Sequence, residues 1–122
     1  MNHPKEASHP SIPDWATEFS GSVTVCDPAG ITLYMNEKAR ETFAKDGGGS
    51  LIGKNLLDCH PEPARSKLKS LLESPRTNAY TIEKKGVKKL IYQAPWYHDG
   101  QFAGLVELSL LIPEPMPHFS RG

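Results

Sequence analysis

Residues 22–39 read S-V-T-V-C-D-P-A-G-I-T-L-Y-M-N-E-K-A, and three backbone geometries follow one another within them. Val23 and Val25 fall on one side of an extended chain and Thr24 and Cys26 on the other, the period of two that a strand requires. Asp27-Pro28-Ala29-Gly30 has the chemistry of a tight turn, with proline second and glycine fourth. Ile31 to Met35 then runs back as a second strand. Asn36 is a good N-cap for a helix over residues 37–44 that carries Ala39 and Phe43 on one face. A hairpin leading straight into a helix is thus specified locally.

Upstream, Pro13-Asp14-Trp15-Ala16-Thr17-Glu18-Phe19 sets Trp15 and Phe19 four apart, on one face of a short helix. Residues 1–12 hold the pairs His3-Pro4 and His9-Pro10 and little to bury, as in a flexible arm. Downstream, Gly47-Gly48-Gly49-Ser50 is expected to end the second helix and form a flexible loop. Leu51, Ile52, Leu56 and Leu57 suggest short helical turns that bury their side chains. The clearest helix follows, in H-P-E-P-A-R-S-K-L-K-S-L-L-E-S-P from His60. Pro61 and Pro63 suit its first turn, Ala64, Leu68, Leu71 and Leu72 form its buried stripe, and Ser74-Pro75 stops it.

The last third is rich in strands. Residues 78–83 pass through Lys84-Lys85-Gly86 to residues 87–97, and these pass through Asp99-Gly100 to residues 101–112; Asp-Gly between such runs is a strong hairpin signal. Residues 113–122, with three alternating prolines, can neither continue a sheet nor start a helix and should leave as an extended tail.

Composition removes several functional classes. A chain of 122 residues holds one domain. Its formal net charge is zero, with 14 basic and 14 acidic side chains, so no overall field draws it to nucleic acid or to an acidic membrane surface. Neither a signal-peptide core nor an apolar run of the roughly 20 residues needed to cross a bilayer is present, and a cytoplasmic protein is expected. Cys26 and Cys59 are too few for a disulfide framework and read as reduced thiols, and neither they nor His3, His9, His98 and His118 show metal-ligand spacing. No G-x-S-x-G, H-E-x-x-H or phosphate-loop pattern occurs, so no enzyme is expected.

The order of elements, a helix, two strands, short helices, a longer helix and three antiparallel strands, resembles the PAS family. The resemblance rests on the quoted stretch, on L-I-G-K-N-L at 51–56 and on W-Y-H-D-G-Q-F-A-G-L-V-E-L-S-L at 96–110, and spans residues 13–112. It implies an α+β fold: a five-stranded antiparallel sheet with short helices covering one face and a pocket between the two layers. By alternation Val25, Tyr34, Leu90, Tyr92, Val106, Leu108 and Leu110 are expected to face inward. A one-residue error of register would turn them all outward. The expected ligand pocket comprises Val25, Tyr34, Phe43, Leu56, His60, Leu68, Leu72, Tyr92, Val106 and Leu108.

The resemblance does not name a ligand, because PAS domains bind heme, flavin, small metabolites or fatty acids, or serve only as dimerisation modules. Flavin photosensors carry a reactive cysteine directly after the asparagine of a G-x-N-C motif; here Gly53-Lys54-Asn55 is followed by Leu56, which excludes that photoadduct. Heme-binding oxygen sensors resemble this chain at Pro61-Glu62-Pro63-Ala64-Arg65-Ser66, but their axial histidine falls at Leu68, which has no lone pair for iron. His60 is the remaining candidate heme ligand, or else a capping histidine. Cys59 is expected to face away from the pocket. Trp96 and Tyr97 suit either a pocket wall or packing before the turn, and Lys84, Lys85, Lys88 and Lys89 either an acidic partner or a solvated rim.

The expectation is a sensory and signalling domain that binds a small ligand or cofactor and passes on its state through protein-protein contacts. Leu111-Ile112-Pro113 replaces the family's usual exit to a signalling helix, so a signalling partner acting in trans is expected. The alternative is a ligand-free homodimerisation module, with Trp15, Phe19 and the outer sheet face at the interface and Tyr34, Phe43, Tyr92 and Trp96 filling the pocket. An internal apolar cavity of roughly 300 Å³ or more would favour the ligand sensor, and a filled core the dimerisation module.

Overall fold

The computed structural model describes residues 14–122. The expected arm, residues 1–12, and Pro13 lie outside the described residues. Helix α1 (Asp14–Thr17) precedes strands β1 (Ser22–Cys26) and β2 (Thr32–Met35), helix α2 (Glu37–Thr42) and two 3-10 turns (Ala44–Asp46 and Gly48–Leu51). Helices α3 (Leu56–Cys59) and α4 (Ala64–Glu73) then lead to strands β3 (Asn78–Lys84), β4 (Val87–His98) and β5 (Gln101–Leu111). The five strands form one antiparallel sheet in the order β2-β1-β5-β4-β3, so the first and last strands are neighbours at its centre.

Local chemistry explains the turns. Asp27 Oδ1 accepts hydrogen bonds from the Ala29 and Ile31 amides, both at 2.9 Å, and holds the β1–β2 turn. Lys85-Gly86 and Asp99-Gly100 all have positive φ, the backbone of two-residue hairpins whose twist matches the strands. Asn36 caps α2 and is fully buried. Asn55 caps α3 through Leu57, and its backbone pairs with Ile31, so the 52–55 segment adds to the outer edge of β2.

Two local expectations change. The glycine run is not an open loop: Gly48–Leu51 is a 3-10 turn in which Gly48 and Leu51 are buried, because glycine at φ +54° lets the chain turn tightly beneath Arg40. Helix α4 begins at Ala64, after both prolines, and buries only Leu68, Leu71 and Leu72, leaving Ala64 exposed. Its first turn is held by Glu62, whose carboxylate accepts from the Ser66 amide at 3.1 Å.

The larger correction concerns the sheet. Val25 pairs with Tyr34 and Val106, Val23 with Leu108, Leu108 with Tyr92, and Leu90 with Leu110, so the residues expected inward do share one face. That face is the one turned away from the helices. The helical layer covers the alternate set, Thr24, Cys26, Met35, Gln93, Leu105 and Glu107. Alternation fixes which side chains lie together but not which side the helices cover, and here both faces carry apolar residues.

The core is divided. Cys26, Leu68, Leu71, Leu72 and Leu105 form one cluster, with Leu56, Leu57 and Phe102 against it. Met35, Ala39 and Leu51 form another with Phe43. Helical cover stops short of β3, where Tyr80 and Ile82 are exposed.

Candidate functional site

A cavity of about 250 Å³ lies between the two clusters, walled by members of both. Its floor is the sheet. One row of cross-strand partners runs from Met35 through Thr24 and Glu107 to Gln93, and continues to Asn78 on β3. The row beside it contributes Cys26 and Leu105. The roof comes from Phe43 after α2, Asp46 and Leu51 of the 3-10 turns, Leu56 and Cys59 of α3, His60 and Pro61 beyond it, and Leu68 of α4.

The floor carries a polar chain. Asn78 Nδ2 donates to Gln93 Oε1 at 2.8 Å, and Gln93 Nε2 donates to Glu107 Oε1 at 2.7 Å. Each amide thereby has its neighbour's complementary atom, and the chain ends on a carboxylate with no cationic partner among the described residues. Beside Glu107, Thr24 is 6% exposed, and its hydroxyl is buried without a hydrogen-bond partner among the described residues. His60 Nδ1 lies 2.7 Å from the Leu56 carbonyl, which can only accept, so Nδ1 carries the hydrogen and Nε2 is left as the ring's free nitrogen.

Burial pushes the Cys26 thiol up to about 11, partly opposed by a hydrogen bond with the Leu105 backbone and reinforced by the nearby Asp27 and Glu107 carboxylates. Cys26 is therefore a small apolar wall residue and a poor nucleophile. Burial, and then Glu107, also raise the Tyr80 phenol, as expected for a ring on the same face.

Of the residues expected in the pocket, the structure brings Phe43, Leu56, His60 and Leu68 to the cavity. Leu72 packs in the neighbouring cluster and does not reach it. Val25, Tyr34, Tyr92, Val106 and Leu108 are on the opposite sheet face, and Trp96 donates its indole N–H to the Cys26 carbonyl at 3.0 Å instead of lining the cavity. Cys59, expected to face elsewhere, lines it while staying exposed. Trp15 and Phe19 stack edge to face at 5.6 Å and remain 63% and 39% exposed.

Thr24, Gln93 and Glu107 escaped the sequence reading because polar residues in alternating strands look like a solvent face. A polar side chain at the middle of each of three strands was the available signal, but it acquires meaning only when the register sets the three side by side.

These walls do not suit heme. Among the described residues the lining holds two carboxylates, Asp46 and Glu107, and no lysine or arginine to meet propionates, while the volume is below the 300–1,000 Å³ range of pockets for drug-sized molecules. His60 at the rim does not alter that balance.

No protein-family model and no curated protein matches the sequence. Solved structures do match. The PAS domain of BvgS from Bordetella pertussis is 17% identical with a TM-score of 0.58, over 80% of this chain and 81% of that one. The Aer2 receptor of Vibrio cholerae, described as a dual PAS-heme oxygen sensor, is 19% identical with a TM-score of 0.56, over 77% and 96%. Vibrio cholerae VqmA, a LuxR-type receptor described as a dimer and also solved bound to DPO, is 13% identical with a TM-score of 0.62; the match covers 83% of this chain and half of that one. The described residues have the PAS fold, a fold used in sensory and signalling proteins.

Proposed function

We propose that this chain is a small-ligand sensor, which takes a compact molecule into the cavity between sheet and helices and reports occupancy through protein-protein contacts, without catalysis of its own. The cavity carries the reading. It is partly open, with exposed Asp46, Cys59 and Pro61 in its wall, and at about 250 Å³ it lies just below the roughly 300 Å³ expected of a ligand pocket; what supports the reading is its place between the two core clusters.

The division of the core supports a route for the signal. An occupant touches Phe43 and Leu51 of one cluster and Leu68 and Leu105 of the other, so it favours the packing in which both halves close on it. A second copy of the chain is the simplest partner. Tyr92 at 40% exposure, with Leu108 opposite it and Val106 next along on the outer sheet face, supports association there, and half of the dimeric VqmA has the same fold. No helix among the described residues is long and apolar enough to cross a membrane, in keeping with a cytoplasmic role. The second reading, a ligand-free dimerisation module, draws on the same outer face.

Native mass spectrometry and absorption spectra of the chain purified from cells test the proposal. The expected result is a bound small molecule released on denaturation, without a Soret band, and its loss in Leu68→Trp, which fills the cavity. A wild-type chain that never retains or takes up a ligand, and a Leu68→Trp variant that is merely more stable, would leave the dimerisation module as the better reading.

A further inference from the structure

The polar inventory of the cavity is lopsided. Gln93 has both ends of its amide committed, to Asn78 and to Glu107, so it offers a guest little. What remains is the second oxygen of the Glu107 carboxylate, which only accepts, while His60 has Nδ1 committed to the Leu56 carbonyl. Asp46 adds a second carboxylate at the rim, and no lysine or arginine lines the cavity among the described residues. Thr24 is the direct cross-strand partner of Glu107, and its hydroxyl is buried beneath the cavity surface, where a guest does not reach it. Around them the walls are apolar: Met35, Phe43, Leu51, Leu56, Leu68 and Leu105.

From this we infer that the ligand is a small organic cation, a compact apolar or aromatic body bearing one amine, amidine or protonated ring nitrogen, whose N–H group lies on Glu107. The assignment rests on the ligand-sensor reading above and narrows it to a chemical class. A carboxylate ligand would meet Glu107 as a like charge in a partly desolvated site. A purely apolar ligand would strip water from Glu107 without replacing it. At about 250 Å³ the cavity has room for a single ring with a short arm.

Three probes of one shape and different charge, benzylamine, benzyl alcohol and benzoate, test the inference by calorimetry and by amide shifts of the full chain. Benzylamine is expected to bind about tenfold more tightly than benzyl alcohol, the advantage of a charge-assisted hydrogen bond, with benzoate weakest and the shifts centred on Thr24, Cys26 and Leu105. In Glu107→Gln, which keeps an oxygen to accept from Gln93, the preference should vanish while benzyl alcohol binds as before. Equal or tighter binding of benzyl alcohol or benzoate would overturn the cation assignment and leave the sensor standing. Binding that shifts only surface amides overturns it too, and failure of all three probes counts against both readings.

Discussion

The side-chain oxygen of Asn36 accepts the Val23 amide hydrogen at 2.9 Å, tying the start of α2 to the middle of β1. The same oxygen accepts from Ala39 at 3.0 Å, and Nδ2 donates to the carbonyls of Ala16 and Gly21, both at 2.9 Å. One buried amide thus joins α1, β1 and α2. Asn36→Ala leaves four backbone groups unpaired and should cost about 3–5 kcal/mol in urea unfolding. Asn36→Asp keeps the cap but turns a carboxylate toward two carbonyls, and should cost nearly as much. An Asp variant as stable as the parent would mean that only helix capping matters here.

Gln93 is the relay of the cavity floor. Gln93→Leu preserves bulk but strands Asn78 Nδ2 and removes the donor on Glu107, and should destabilise by about 1–3 kcal/mol. The amide and side-chain resonances of Glu107 should move with it, read by NMR, whereas a substitution of exposed Lys84 should move neither.

Gly104 sits at φ +133°, and a Cβ there would collide with the backbone of Cys26 and Asp27 on the neighbouring strand. Paired backbone cannot step aside, so Gly104→Ala should cost roughly 3 kcal/mol or more by thermal or denaturant melts. Gly21→Ala is a control: its Cβ would meet the side-chain ends of Leu110 and Phe19, which can move, and about 1 kcal/mol is expected.

The two thiols should behave differently. A thiol reagent at pH 8 should label the exposed Cys59 and leave the buried Cys26 untouched until the chain unfolds. Cys26 ionises near 11 when folded against 9.0 ordinarily, so above pH 9 the unfolded chain loses this proton first. Its contribution is complete below pH 9 and falls as the pH rises toward 11, on the order of 2 kcal/mol. Denaturant melts from pH 8.5 to 10.5 should therefore slope downward, less steeply in Cys26→Ala.

Much of the fold was legible because its signals are local. The Asp27–Gly30 turn, the Asn36 cap, the Asp99-Gly100 hairpin and the Leu68, Leu71, Leu72 stripe each depend on neighbours a few residues away. The glycine run misled, since flexibility in sequence says nothing about whether a chain packs. Leu56 and Leu68 were placed against the pocket because a helix that covers a sheet presents its apolar stripe to it. The sheet's contribution was inverted, and with it Val25, Tyr34, Tyr92, Val106 and Leu108.

By itself the sequence determined the order of strands and helices, how consecutive strands turn, and which residues share each face of the sheet. Only the tertiary structure decided which face the helices cover. The reason is physical: alternation is a property of one strand, whereas the pairing of β1 with β5, some eighty residues apart, sets Thr24 beside Glu107. The cavity, its acceptor-rich floor and the ligand class that follows arise from that pairing.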